Sequence, residues 1–378
     1  MIGYYVHHQG RGHLHRAMCI ASRTPDQVTL LSSLPRPAAW TGPWVPLPTD
    51  TADDPLDPTA GGRLHWVPLH HPGHRERMGI IAQWIRRESP SLFVSDVSVE
   101  AAALARLMGV PVVVAAMRGD RKDPAHRLGY DLADALLAPW PHTVPEPGWP
   151  AHWHAKTVHT GSISRYDGRP RPTADAAPAT KEVAVMLGAG GTHLTEDHLR
   201  EAQRATPDWT WTVLGGRAPG NRARGGPAAP AGAPNAPGRG TPASGGGTAG
   251  RSTPDGASPS AWLEDPWPVL CRARVVVTHA GQNAVAECAA AHAPTVVIPE
   301  DRPHGEQHAT ARALRTAGLA TVRDSWPDAG EWPALLTEAA ARPDRWDQWS
   351  HGDGADRAAR LLTDLAARPT RRTACVPR

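Results

Sequence analysis

Lysine is almost missing from this chain. Lys122, Lys156 and Lys181 stand among 40 basic residues that are otherwise arginine, and 37 acidic residues bring the net charge to +3. So even a balance excludes a broad basic field for nucleic acid and a polybasic anchor for a membrane, leaving at most peripheral membrane contact. Cysteine is sparse. Cys19, Cys271, Cys288 and Cys375 form no CxxC pair, which excludes a disulfide scaffold and points to a reduced, cytoplasmic protein. No run approaches the 18 apolar residues of a bilayer-spanning helix. The opening "MIGYYVHHQGRGHLHRA" has no apolar core, so a signal peptide is not expected. There is one phenylalanine against 15 tryptophans. The indoles are expected mainly to fill cores, with Trp40 and Trp44 as candidate acceptor contacts.

What is present is alternation. Short apolar runs, each followed by a helical pattern, recur along all 378 residues, enough for two domains. In the first half strands are expected at 2–6, 28–31, 64–67, 92–95 and 112–115, with helices at 14–22, 74–88 and 99–108. In the second half strands are expected at 183–187, 210–214, 275–278, 295–299 and 320–322. Helices there are expected at 196–205, 266–272, 283–292, 306–316 and 332–341. Strands apolar on both faces and separated by helices predict parallel sheets, which bind ligands at their carboxyl edges. A last helix, 356–366, carries one apolar stripe for packing. Residues 216–260 hold no Val, Ile, Leu, Met or aromatic side chain and read as a disordered insertion.

"VVVTHAGQNAVAEC" (275–288) carries the most specific signal. It runs a buried strand into His279-Ala280-Gly281-Gln282-Asn283, where a helix begins. Gly281 lets a ligand approach the backbone, and the helix's free amides and positive end suit a diphosphate. Glu287 lies one turn beyond Asn283 on the same face, and its carboxylate can accept from both hydroxyls of a ribose. In "IPEDRPHGEQHATA", Glu306 and Gln307 begin another helix and offer an acceptor and an amide for sugar hydroxyls. In "VMLGAGGTH", Gly188, Gly190, Gly191 and Thr192 offer donors to phosphate. The competing readings are a plain N-cap, a dipole-favoured Glu and an ordinary tight turn.

"THAGQNAVAE…P…GEQHATA" is similar to the nucleotide-binding half of GT-B glycosyltransferases, above all the MurG-like family 28 group and the UDP-glycosyltransferases. "HHQGRGHLHRA" resembles the first glycine-rich loop of the same enzymes. The resemblance implies an α/β GT-B fold of two Rossmann-like parallel-sheet domains facing a cleft. The domains would be 1–155 (acceptor side) and 156–353 (nucleotide sugar), with a C-terminal helix at 354–368 packing back on the first domain and a tail at 369–378. It implies that Glu287 holds the ribose, that His279, Gly281, Gln282 and Asn283 face the diphosphate, and that Glu306 and Gln307 contact the donor sugar. Gly188–Thr192 would border the diphosphate or the acceptor. Gly10, Gly12 and His13 would form the acceptor-side loop, with His13 in the cleft. The chain departs from the family where His308-Ala309 replaces Asn-Ala and where the second glycine loop reads Gly-Ala-Gly-Gly-Thr.

The expected activity is hexosyl transfer from a UDP-sugar or dTDP-sugar to an acceptor hydroxyl, with inversion. No cofactor and no metal are expected. The only Asp pair, Asp53-Asp54, lies in a Pro-rich loop and not on an Asp-x-Asp turn after a strand. The groups His70/His71/His74 and His152/His154/His159 lack a tidy ligand spacing. His13 is the leading general base, and Asp96 is the reserve base or its orienting partner. A sugar-nucleotide 2-epimerase of the same architecture and a non-catalytic sugar-nucleotide-binding subunit are the rival readings.

Overall fold

The computed structural model describes residues 1–8, 12–172, 181–188, 192–214 and 265–368. The expected insertion and tail, and Gly10, Gly190 and Gly191 among the candidate residues, lie outside them. The first sheet contains β1 (Ile2–Val6), β2 (Val28–Ser32), β3 (Trp44–Pro46), β4 (Leu92–Asp96), β5 (Val112–Ala115), β6 (Ala135–Ala138) and β7 (Thr157–His159). Its helices are α1 (Gly12–Ala21), α2 (Pro72–Glu88), α3 (Val99–Leu107), α4 (Pro124–Leu132) and α5 (Ala151–Ala155). The second sheet contains β8 (Lys181–Met186), β9 (Trp209–Leu214), β10 (Val275–Thr278), β11 (Thr295–Val297) and β12 (Thr321–Val322). Its helices are α6 (Glu196–Ala205), α7 (Trp267–Arg272), α8 (Gln282–Ala291), α9 (Glu306–Thr316) and α10 (Trp332–Ala341). The last helix is α11 (Gly354–Ala367).

Every strand pairing in both sheets is parallel. The strand orders are β3-β2-β1-β4-β5-β6-β7 and β12-β11-β10-β8-β9. Each order reverses direction once, between β1 and β4 in the first sheet and between β8 and β10 in the second. A crevice opens at the carboxyl ends of the strands at such a reversal, because the loops there diverge to opposite faces. The first crevice has His13 on one side and Asp96 on the other; the second has Gly188 and His279. Topology alone thus brings together residues that lie far apart in sequence.

One expected element and one expected boundary differ from those observed. Residues 64–67 are not a strand. Their backbone N–H groups are met elsewhere: His65 and Trp66 both donate to the Glu100 carboxylate, and Val67 donates to Pro58 O. Trp44–Pro46 takes the place beside β2. β7 belongs to the first sheet, so the chain leaves that sheet after His159 and not at 155. The segment after it crosses between lobes, with the Tyr166 ring tilted 35° against Trp267 at 4.8 Å between centroids. α11 returns to the first lobe, where Ala355, Ala358, Ala359 and Leu362 share a core with Tyr4, Ala17 and Ile20. Trp40 is buried in that core and donates to Pro43 O, and Trp44 packs on the same core from the side. Neither indole stands out as an acceptor platform. No helix among the described residues is long and apolar enough to cross a membrane.

Candidate active site

α1 begins at Gly12 and brings His13 and Arg16, one turn apart, to the carboxyl end of β4. There Asp96 is fully buried. His13 Nδ1 lies 2.9 Å from Asp96 Oδ1, and Arg16 Nε donates to Oδ2 at 3.1 Å. Arg16 Nη2 also donates to Oδ1. A carboxylate only accepts, so the shorter contact, to Asp96, calls for a proton on Nδ1, although Arg16 Nη2 also lies 3.1 Å from that nitrogen. Burial alone would raise the Asp96 carboxyl, but the Arg16 guanidinium and His13 hold it far below the usual carboxylate range. His13 and Asp96, expected as base and reserve or orienter, are therefore one hydrogen-bonded pair. Arg16 had no role in the expectation, although its spacing of three from His13 on a helix was visible.

The second lobe meets this pair through the start of α8. Gly281 is the N-cap of α8 and supplies no side-chain cap, so the first amides of the helix keep their donors. A Cβ placed on Gly281 would find nothing nearer than Gln307 Nε2 at 4.0 Å. The space above the helix end is open. Gln282 and Asn283 turn toward the first lobe: Arg16 donates to Gln282 Oε1 at 2.6 Å, and Asn283 Nδ2 donates to Gly12 O at 3.2 Å. Their side chains therefore latch the lobes, which leaves their backbone amides for an anion.

Glu287 is buried at the lobe boundary. Its Oε1 accepts from Arg165 Nε at 3.0 Å, and both line a small cavity with His15 and Cys19 of α1. That cavity has room for about one water in this closed arrangement. Burial pushes the Glu287 carboxyl up, against the pull of Arg165. The side chain faces the interlobe boundary, not bulk water.

His279 sits deeper than expected. Its Nδ1 donates to Ile298 O at 2.9 Å, and Nε2 lies 3.0 Å from Thr192 Oγ1 and 3.3 Å from Glu300 Oε1. It thus contacts Thr192 from beside β11. Glu300, which had no expected role, lies just past β11 and holds Thr192 and His193. It accepts from Thr192 Oγ1 and from the His193 backbone N–H, both at 2.9 Å. Burial would raise Glu300, yet these donors keep its carboxyl below the ordinary value. Gln307 Oε1 is taken by the Glu300 backbone N–H at 2.9 Å, while Glu306 Oε2 lies 3.3 Å from Arg121 of the first lobe. The histidine triplets expected not to bind metal have other partners: His71 caps α2 by accepting from His74 N–H, and His152 pairs with Asp131. Among the described residues one other cluster, at His65, has the composition of a metal site.

Residues 265–325 match the Glycosyltransferase family 28 C-terminal domain, the stretch from α7 to just past β12. No match is found among curated protein sequences. The fold is similar to that of the glycotransferase of kitacinnamycin, at 17% identity over 97% of this chain and 95% of that one, TM-score 0.59. It is similar to MurG of Acinetobacter baumannii, at 15% identity over 96% and 99% of the two chains, TM-score 0.59. It is also similar to the spinosyn rhamnosyltransferase SpnG complexed with thymidine diphosphate, at 14% identity over 97% and 96%, TM-score 0.51. These likenesses show a shared two-lobed GT-B architecture.

Proposed function

We propose that this chain, a GT-B protein whose second lobe carries a glycosyltransferase family 28 C-terminal domain, moves a hexosyl group from a nucleoside-diphosphate sugar to an acceptor hydroxyl. The observation that carries the reading is the meeting of two half-sites. The uncapped amino end of α8 lies against the helix that presents His13 hydrogen-bonded to Asp96.

The chemistry divides between the lobes. The acceptor hydroxyl gives its proton to His13 Nε2, and its oxygen attacks the anomeric carbon. The bond from that carbon to the diphosphate oxygen breaks, and the electron pair leaves on the diphosphate. Amides at the start of α8 receive the growing negative charge. Attack opposite the leaving group inverts the anomeric centre. Asp96 keeps His13 in the tautomer that accepts at Nε2 and stabilises the imidazolium that forms. The transfer step is assigned no metal, because the helix end supplies the positive field that a metal would supply elsewhere.

Glu287 is assigned the ribose. Donor entry therefore requires the lobes to part and Arg165 to share its carboxylate. Glu306 and Gln307 are assigned the hexosyl group. UDP and dTDP are both retained as the carrier; the thymidine diphosphate on the similarly folded SpnG supports the nucleoside-diphosphate class.

The test is release of UDP or dTDP from the sugar nucleotides across a panel of hydroxylated acceptors. His13→Ala is expected to lower kcat by about 100-fold or more while donor affinity stays within about threefold. Epimerised sugar nucleotide formed without acceptor points instead to an isomerase. Tight binding with no turnover points to a helper subunit.

A further inference from the structure

Four side chains from distant parts of the chain converge where the lobes touch. His65 comes from the loop before α2, Asp123 and His126 from the start of α4, and His304 from the loop before α9. Each offers one ligand atom, and the four atoms lie within 4.8 Å of one another. His65 Nε2 is 3.1 Å from His126 Nδ1 and 3.5 Å from Asp123 Oδ1. Asp123 Oδ2 lies 2.5 Å from His126 Nδ1 and 3.7 Å from His304 Nδ1. Tetrahedral zinc with ligands at its usual bond lengths has ligand–ligand edges of about 3.3 Å. The cluster offers three imidazoles and one carboxylate, with separations from 2.5 Å up to 4.8 Å that bracket that edge.

We propose that His65, Asp123, His126 and His304 bind one divalent transition-metal ion of the zinc class, which ties the two lobes together. The site lies apart from the diphosphate half-site and goes beyond the transfer reaction. His304 stands two residues before Glu306, so the ion would also fix the loop that presents Glu306.

The backbone is already arranged for this. His304 has φ 62°, a left-handed conformation that a histidine adopts only when its surroundings hold it. The Asp120 N–H donates to His304 O at 2.8 Å. Gly119 passes so close that a Cβ there would sit 2.3 Å from the same oxygen. Proton positions must change on loading. Arg121 Nη1 is a donor and faces His126 Nε2 at 3.1 Å, so Nδ1 now carries the proton toward Asp123. When the ion takes Nδ1, the proton moves to Nε2 and Arg121 releases that one contact. Its Nε and Nη2 keep the Arg118 carbonyl, and Nη2 keeps Glu306.

The test uses untagged full-length protein stripped with chelator, without donor or acceptor, so that it is independent of glycosyl transfer. Zinc is titrated by calorimetry, and cobalt is added as a coloured probe of geometry. One equivalent of zinc, a raised melting temperature and the visible spectrum of tetrahedral cobalt are expected. His304→Asn suits the left-handed backbone and should fold, yet lose at least about tenfold in affinity, about 1.4 kcal/mol. His126→Ala should lose more. Absence of saturable zinc binding overturns the proposal, and so does binding that His304→Asn and His126→Ala both leave unchanged.

Discussion

Asp96 is the residue on which the chemistry proposed for the first lobe turns. It is fully buried, and it holds both His13 and Arg16. Removing one member of a buried pair strands the other charge, at a cost of about 3–5 kcal/mol. Asp96→Asn should therefore destabilise the protein by that order at pH 7, as well as impair catalysis through His13. The pH dependence has a definite sign. The folded carboxyl is held far below its unfolded value of about 3.9. Its stabilisation is complete above that pH and fades as pH falls toward the folded value. The stability gap between wild type and Asp96→Asn should be full at pH 7 and shrink below pH 4, read by denaturant unfolding. A gap independent of pH would mean that the charge of Asp96 does not matter to the fold.

At this scale the sequence pointed to the placement of some residues and hid that of others. Glu287 was legible because an acid in an apolar helix must have a partner, and it is buried at the lobe boundary. Glu300 was not, because a Glu after a strand has no periodicity to betray what it clamps. The partners of His279 were hidden for a related reason. A histidine at the end of a strand can point up at a ligand or down at the neighbouring loop, and only the packing of Ile298, Thr192 and Glu300 decides.

At the scale of the element, α8 and the two residues before it form the proposed donor half-site. Gly281 has φ −67°, a value open to any residue, and space around its missing Cβ. Gly281→Ala should fold normally, with a melting temperature within about 2 °C of wild type. The added methyl would project into the anion's place and lower UDP or dTDP affinity, measured by calorimetry. Glu287→Ala should also weaken binding, through the ribose. The Glu287 carboxyl is raised by burial, so it protonates at a higher pH than an ordinary Glu. Nucleotide affinity should accordingly fall on mild acidification in wild type and change less in Glu287→Ala.

Element boundaries were readable where apolar period and caps agree. Val275–Thr278, Glu196–Ala205 and Glu306–Thr316 match the expected ranges. β6, with the sequence ALLA, was not seen, because a four-residue run of helix-forming side chains in mid-sheet carries no strand signature. The error at 64–67 came from apolar residues whose hydrogen bonds go to Glu100, a partner 34 and 35 positions away.

At the scale of the whole molecule, the account is of two crevices closed on each other. Arg16–Gln282, Gly12–Asn283, Arg121–Glu306 and Arg165–Glu287 cross the boundary. In the proposed reaction donor and acceptor meet when these latches open and close again, and sequence pattern alone could not show the latches. The same holds for the cluster around His65: its ligands lie at positions 65, 123, 126 and 304, and only the meeting of the lobes assembles them. The most direct test of the central claim is a crystal structure of the full chain with UDP or dTDP. The account predicts the diphosphate on the amides of Gln282 and Asn283, with the ribose hydroxyls on Glu287. A nucleotide bound elsewhere, with Glu287 still closed against Arg165, would contradict it.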